Sequence, residues 1–227
     1  MPVPQRMAPL ASVPKDQLLI HEVYASVQGE STFQGEPCVF VRTTACHLRC
    51  SYCDTEHAFY EGTVRTVDDV LQDVLARGLP LVEVTGGEPL LQPAVHALMR
   101  RLCDAGKTVL LETSGGVSTR DVDERVHIIL DVKTPSSGEA ERNVWANLER
   151  LRPHDEVKFV IGSREDFRWS VEKLREHDIA RRCTVLFSPV TPGMEPRELA
   201  ELVVAERLPV RFQVQLHKVL WGDKRGV

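Results

Sequence analysis

From residue 81 onward the chain keeps one rhythm: a short run rich in Val, Leu and Ile, a polar turn, then an amphipathic stretch. That rhythm constrains the fold more than any other feature, because strand, crossover helix and strand pack as parallel strands with right-handed connections. Runs at Leu81–Thr85, Thr108–Glu112, Ile128–Val132, Val157–Ile161, Thr184–Phe187 and Val210–Leu216 read as strands, preceded by Leu18–Val27 and Cys38–Arg42. Between them, Val67, Val70, Leu71, Val74 and Leu75 fall on one helical face, capped by Thr66 with Asp69 three residues on and ended by Gly78. Pro93 opens a second helix whose stripe is Val95, Leu98, Met99 and Leu102, closed by Gly106. Further helices are expected over Asn143–Leu151, around Phe167, Val171 and Leu174, and around Leu199, Leu202 and Val203. Six or seven such units are too few for a closed eight-stranded barrel. An open, partial (β/α)6 α/β barrel fits the count, with a doubly wound sheet as the alternative; in both, function gathers where the strands end.

With 227 residues, 42% hydrophobic and 27% charged, the chain suits one soluble globular domain with a sizeable core. The expected layout is a proline-containing lead-in over 1–16, read as mobile, and one core domain over 17–227. A net charge of −5 supplies no basic face for nucleic acid. No apolar run reaches signal-peptide or membrane-span length, so a cytoplasmic protein without membrane contact is expected. In a reducing compartment, six cysteines point to metal or redox chemistry before disulfides.

Three of the six lie within eight residues, in Cys46-His47-Leu48-Arg49-Cys50-Ser51-Tyr52-Cys53-Asp54-Thr55. Cys38, Cys103 and Cys183 fall instead in strand or helix patterns and read as small buried apolar side chains. A structural zinc ion or an iron–sulfur cube normally takes four ligands, and this loop offers three sulfurs. One metal position would stay open for a small chelating molecule. The competing reading is a Cys3His zinc site completed by His47 or His57. The Cys-x3-Cys-x2-Cys spacing resembles that of the radical S-adenosylmethionine (SAM) superfamily. That resemblance implies a [4Fe–4S] cluster on Cys46, Cys50 and Cys53, SAM chelating the fourth iron, and reductive cleavage of SAM to a 5′-deoxyadenosyl radical.

The strand ends carry the remaining chemistry. Gly86-Gly87-Glu88-Pro89 is a turn by itself; in the superfamily such a loop meets the SAM amino group, and Gly87 lets the backbone approach closely. Glu112 and Ser114 end one strand and Asp131-Val132-Lys133 the next, suited to ribose hydroxyls and the ammonium of an adenosyl ligand, with Ser188 as a weaker partner. Lys133 reads either as a rim cation for a carboxylate or as the ion-pair partner of Asp131. In the last strand Val210, Phe212, Val214 and Leu216 share one face and Arg211, Gln213, Gln215 and His217 the other, which either is solvated or lines the pocket mouth.

Together with Val27-Gln28-Gly29-Glu30, Phe40-Val41-Arg42, Cys53-Asp54-Thr55, Thr85-Gly86-Gly87-Glu88-Pro89 and Gln215-Leu216-His217-Lys218, the pattern from about residue 20 onward resembles the 7-carboxy-7-deazaguanine synthase family. The resemblance implies radical ring contraction of 6-carboxy-5,6,7,8-tetrahydropterin to 7-carboxy-7-deazaguanine, with hydrogen abstraction at C6 and loss of ammonia, toward queuosine and other deazapurines. It implies a pterin held by Val27, Gln28, Gly29, Glu30, Arg42, Thr85 and His217, and Mg2+ on Thr55, a hard oxygen ligand. Arg42 suits a carboxylate independently, by its planar guanidinium. A flavodoxin- or ferredoxin-like electron donor and a homodimer are further implications. Some members end soon after the Leu-His-Lys segment and reach substrate with the terminal carboxylate; this chain continues through Trp221 to Val227, which puts that contact in question. The rivals are another small radical SAM enzyme, such as a glycyl-radical activase, and a zinc-stabilised interaction module.

Overall fold

Alternating apolar residues commit the strands to a single sheet, and the computed structural model, which describes residues 5–222, 224 and 226, shows how it rolls. Residues 1–4 of the expected lead-in, and 223, 225 and 227 of the tail, lie outside the described residues. The strands are β1 (Gln17–Val27), β2 (Pro37–Thr43), β3 (Thr63–Thr66), β4 (Leu81–Gly86), β5 (Thr108–Thr113), β6 (His127–Val132), β7 (Glu156–Ile161), β8 (Thr184–Pro189) and β9 (Arg211–Phe212). The helices are α1 (Val67–Ala76), α2 (Ala94–Asp104), α3 (Arg164–Glu176), α4 (Pro196–Ala205) and α5 (Leu216–Trp221). The sheet order is β3-β1-β2-β4-β5-β6-β7-β8-β9. Strands β2 and β4 to β9 form one parallel run, whereas β1 is antiparallel to both β2 and β3.

One face of this sheet is closed by helices. Val39, Val41, Val82, Val84, Val109 and Leu111 pack with Val70 and Val74 of α1 and Leu98, Met99 and Leu102 of α2. Further along, Ile128, Leu130, Val157, Phe159, Val185 and Phe187 pack with Phe167, Val171 and Leu174 of α3 and Leu199 of α4. Each fully buried side chain of this size contributes about 1.5–3 kcal/mol. The other face has a much smaller apolar cluster, Cys38, Phe40, Leu81, Leu110 and Ile129, with Tyr24 and Phe33 against them. No helical residue joins that inner cluster among the described residues, which rules out the doubly wound alternative. The structure is a partial barrel, open between its edges, with helices outside.

Local signals act as expected at α1. Thr66 Oγ1 accepts from the Asp69 amide at 3.1 Å, and the Asp69 carboxylate accepts in return from the Thr66 amide. Two expected elements fail. The helix over Asn143–Leu151 is replaced by 3-10 turns, including Trp145–Arg150. Asn143 is spent on the Lys133 amide and carbonyl, and Asn147 on Gly115, Val117 and Thr119, so side-chain bonds to backbone outcompete a helix. The strand over Val210–Leu216 shrinks to Arg211–Phe212, and Leu216 and His217 begin α5. Here the backbone finds partners outside the sheet: Gln34 Nε2 donates to the Val214 carbonyl at 2.8 Å, and the Leu216 amide donates to Gly29 at 2.9 Å. The short, charged β3 was not foreseen. Of the cysteines outside the loop, Cys38 and Cys183 are buried, whereas Cys103 is only half-buried against the outer core.

Candidate active site

The cysteine loop leaves the C-terminal end of β2 and is held from two sides. Cys46 is buried, Cys50 and Cys53 are half-buried, and all three pack in one cluster with Leu48 and Phe59. The Leu48 amide donates to Cys46 Sγ at 3.4 Å. Arg49 lays its guanidinium 4.0 Å over the Phe59 ring and donates to the carbonyls of Cys46 and Leu48, which curls the loop around its own sulfurs. The segment after β6 braces it: Ser51 bonds the carbonyls of Ser136 and Ser137, Tyr52 meets Thr134, and the Arg49 amide donates to Glu139 at 2.7 Å. Arg6, within the segment read as lead-in, donates to the His47 carbonyl and to Glu139, both at 3.1 Å. Burial pushes the Cys46 thiol up to about 11 and raises those of Cys50 and Cys53.

The next strand end seals the adjoining wall. A Cβ on Gly87 would collide with the Ala45 carbonyl, so only glycine allows the turn to lie against the cysteine loop. Glu88 is wholly buried and accepts from the Leu90 amide, the Thr113 hydroxyl, and the Ser114 amide and hydroxyl. Ser114, expected at the adenosyl ligand, therefore points its hydroxyl at Glu88.

Above the apolar floor, the inner face turns charged. Glu83, Thr85, Glu112, Asp131, Lys133 and Lys158 occupy the inward positions of β4 to β7 or, for Lys133, the residue after β6. Lys158, 4% exposed at its side chain, bonds Glu112 and, at 2.8 Å, Glu30, with Asp131 at 3.7 Å. Burial alone would lower the Lys158 ammonium; Glu112, Glu30 and Asp131 outweigh it and hold the lysine well above its usual range. Glu30 experiences the converse, burial being overcome by Lys158. Glu83, hydrogen-bonded by Gln28, is pushed well above the carboxylate range by burial and by Glu112. Thr85 donates to Glu112 at 3.4 Å. Lys133 pairs with Asp131 at 2.9 Å, the second of its two sequence readings. Val132 turns its side chain into the outer core, so only its backbone faces inward.

The pocket's open side is bridged by the two segments expected at the substrate. Gly29 abuts His217, whose ring an added Cβ would strike. Gln215 donates to Glu30 at 2.7 Å, and Lys218 pairs with Asp54 at 3.2 Å. Gln28 is fully engaged by Glu83 and the Glu30 amide, while Val27 ends β1 opposite Pro37. Arg42 is clamped by Glu22 at 2.8 Å and the Tyr24 hydroxyl at 3.0 Å. Thr55 donates to Asp54 at 2.9 Å; burial would raise the Asp54 carboxyl, but Lys218 and Thr55 hold it well below its usual range.

These surroundings fit the implied groups. The three-thiol loop suits a cluster better than a Cys3His ion, because His57 groups with His21 and Glu22 and His47 presses its ring against Gly116. For SAM, Asp131 Oδ1 and Ser188 Oγ are buried without a partner among the described residues, and Gly87 admits close approach beside Ala45 and Cys46. For Mg2+, Asp54 and Thr55 offer adjacent hard oxygens. Lys158 and Glu83 were missed by sequence reasoning, yet each is a lone charge between apolar strand residues, Val157-Lys158-Phe159 and Val82-Glu83-Val84, and that was the available signal.

A thiol tripod at the mouth of a helix-wrapped, internally charged partial barrel defines the radical SAM class. The Radical SAM superfamily profile matches residues 40–204, and the chain belongs to that superfamily. It is 48% identical to the 7-carboxy-7-deazaguanine synthase of Chlorobaculum tepidum over 92% of this chain and 97% of that one, and 42% identical to that of Koribacter versatilis over 92% and 99%. It is therefore a member of the 7-carboxy-7-deazaguanine synthase family. The crystal structure of QueE from Escherichia coli shares the fold with a TM-score of 0.73 at 23% identity, covering 88% of this chain and 95% of the other. Archaeal TYW1 shares it more distantly, with a TM-score of 0.56 at 11% identity over 78% and 73%.

Proposed function

We propose that this chain converts 6-carboxy-5,6,7,8-tetrahydropterin to 7-carboxy-7-deazaguanine with loss of ammonia, as a radical SAM lyase of queuosine and 7-deazapurine biosynthesis. The observation that carries this reading is a three-thiol loop set over a charged inner barrel face in a chain 48% identical to a 7-carboxy-7-deazaguanine synthase. Membership brings a [4Fe–4S] cluster, SAM and Mg2+, a small-molecule substrate and a need for a reductant. When bound, the cluster and SAM supply a hydrogen-abstracting radical.

The chain's own residues position and shield. Cys46, Cys50 and Cys53 hold the cluster, Thr55 the Mg2+, and Gly87 meets SAM through its backbone. Asp131 and Ser188 present unpaired buried oxygens to the nucleoside, with Glu112, Ser114, Val132 and Lys133 around them. Arg42, released from Glu22, takes the substrate carboxylate, and Val27, Gln28, Gly29, Glu30, Thr85 and His217 frame the pterin. Lys158, held up by its carboxylate partners, fixes Glu30 and Glu112 in one orientation, while burial and Glu112 push up the Glu83 carboxyl beneath them. The Gly29–His217 closure limits water.

No helix among the described residues is long and apolar enough to cross a membrane. We further infer a cytoplasmic enzyme, a flavodoxin- or ferredoxin-like donor and a homodimer, for which exposed Val219 and Leu220 on α5 offer apolar surface. Anaerobic reconstitution tests the reading: about four irons per chain and SAM-dependent formation of 7-carboxy-7-deazaguanine are expected. SAM cleavage that leaves the pterin untouched would favour a glycyl-radical activase, and a colourless zinc protein the interaction module. Cys50→Ala abolishes turnover, and Thr55→Ala weakens the response to Mg2+.

A further inference from the structure

We propose that His21, Glu22 and His57 form a second metal site, for a divalent transition ion of the Zn2+ type, separate from the cysteine tripod. In an unbroken strand His21 and Glu22 would point to opposite faces. The register of β1 against β2 slips between Ile20, opposite Thr43, and Glu22, opposite Arg42, so His21 is the extra residue of a β-bulge. That bulge turns neighbouring side chains toward one another. The 3-10 turn Glu56–Phe59, directly behind the cysteine loop, brings the His57 ring to 5.0 Å from that of His21. One ligand atom from each of the three residues then lies within 4.8 Å of the other two. Ligands 2.0–2.2 Å from a tetrahedral ion stand roughly 3.3 Å apart, so modest rotamer adjustment closes the triad.

His21 and Glu22 are each oriented by a neighbour. His21 Nδ1 lies 2.9 Å from the Glu61 carbonyl, and a carbonyl only accepts, so the proton sits on Nδ1 and Nε2 keeps its lone pair outward. This carbonyl-oriented imidazole is the arrangement metal-ligating histidines use. Glu22 receives Arg42 on Oε1, which leaves Oε2 for an ion. Two imidazoles and one carboxylate select Zn2+, Co2+ or Ni2+ over Mg2+, which prefers oxygen alone. All three residues are half-buried, so an ion can reach them from solvent. A bound ion ties β1 to the turn that supports the cysteine loop and, through Glu22 and Arg42, reaches the functional end of β2.

The test uses full-length, anaerobically reconstituted holoenzyme, washed with chelator and titrated with Zn2+ alone, with bound zinc counted by elemental analysis and affinity read by calorimetry. Wild type takes up one Zn2+ per chain beyond its iron. The triple variant Cys46→Ala, Cys50→Ala, Cys53→Ala keeps that site, whereas His21→Ala and His57→Ala each weaken it by at least ~100-fold. His21→Gln and His57→Gln give the same loss if an alanine variant folds poorly. Wild type without zinc uptake, histidine variants of undiminished affinity, or zinc lost with the three cysteines would overturn the assignment, as would Mg2+ competing at equal concentration. Because SAM cleavage is measured separately, failure of this site leaves the radical reading standing.

Discussion

The two flanks of the pocket treat buried polar groups in opposite ways. On the β4–β5 flank every side-chain polar atom of Glu88, Thr113 and Ser114 is bonded within the chain, and the buried, unpartnered ring nitrogens of His47 belong to the adjoining cysteine loop. On the β6–β8 flank, Asp131 Oδ1, Ser188 Oγ and, beyond β9, Gln213 Nε2 are buried with no partner among the described residues. Burying an unpaired polar group costs about 1–3 kcal/mol, so a chain keeps several together only where something else repays them. The saturated flank is scaffold and the unsaturated flank is where a polar ligand belongs. Lys158 stands between them, bonded to Glu112 from one side and near Asp131 on the other.

The contrast is broken most directly at that lysine. Lys158→Met removes the cation from among Glu30, Glu112 and Asp131 and leaves their charges uncompensated, at a cost of about 3–5 kcal/mol in urea unfolding. Turnover falls by ~100-fold or more; a stability loss below ~1 kcal/mol would show that Lys158 does not organise the pocket. Glu88→Ala comes next. It strands the Leu90 and Ser114 amides and the Thr113 hydroxyl, for a loss of about 2–4 kcal/mol and a parallel decline in SAM cleavage. If cleavage declines with stability intact, Glu88 touches ligand and the saturated flank is not mere scaffold.

Much of this architecture is legible from the residues themselves, and the failures have physical causes. Period-2 and period-3.6 patterns located β4 to β8, α1 and α2 because those elements bury whole faces, and burial writes a pattern into the sequence. The segments after Lys133 and Phe212 were misread because their backbone is decided by distant partners: Asn143 bonds Lys133, 10 residues away, Asn147 bonds Gly115, 32 residues away, and Leu216 bonds Gly29. The three loop cysteines could be found by spacing alone. Ser114 was placed at the ligand by position, but its engagement with Glu88 depends on which neighbouring strand carries a spare acceptor, information no local pattern holds.

On the unsaturated flank the effects are smaller and reverse in kind. Ser188→Ala removes an orphaned hydroxyl, so stability changes by no more than about 0.5 kcal/mol, while KM for SAM rises ~5–10-fold with kcat little changed. A stability loss above ~1.5 kcal/mol would reveal a hidden partner and erase the difference between the flanks.

Glu83 sharpens the comparison through pH. It sits below the charged layer, and burial together with Glu112 raises its carboxyl well above the ordinary range. A group whose folded value exceeds its unfolded one stabilises fully below the unfolded pKa, near ~4.3 for glutamate, and that contribution fades as pH climbs toward the folded value. Glu83→Gln keeps a partner for Gln28 without the titration. Anaerobic melts therefore show Tm of the variant gaining on wild type by ~2–4 °C between pH 5 and pH 8. A constant offset across that window would mean that Glu83 is ionised throughout, with Lys158 shared among four carboxylates rather than three.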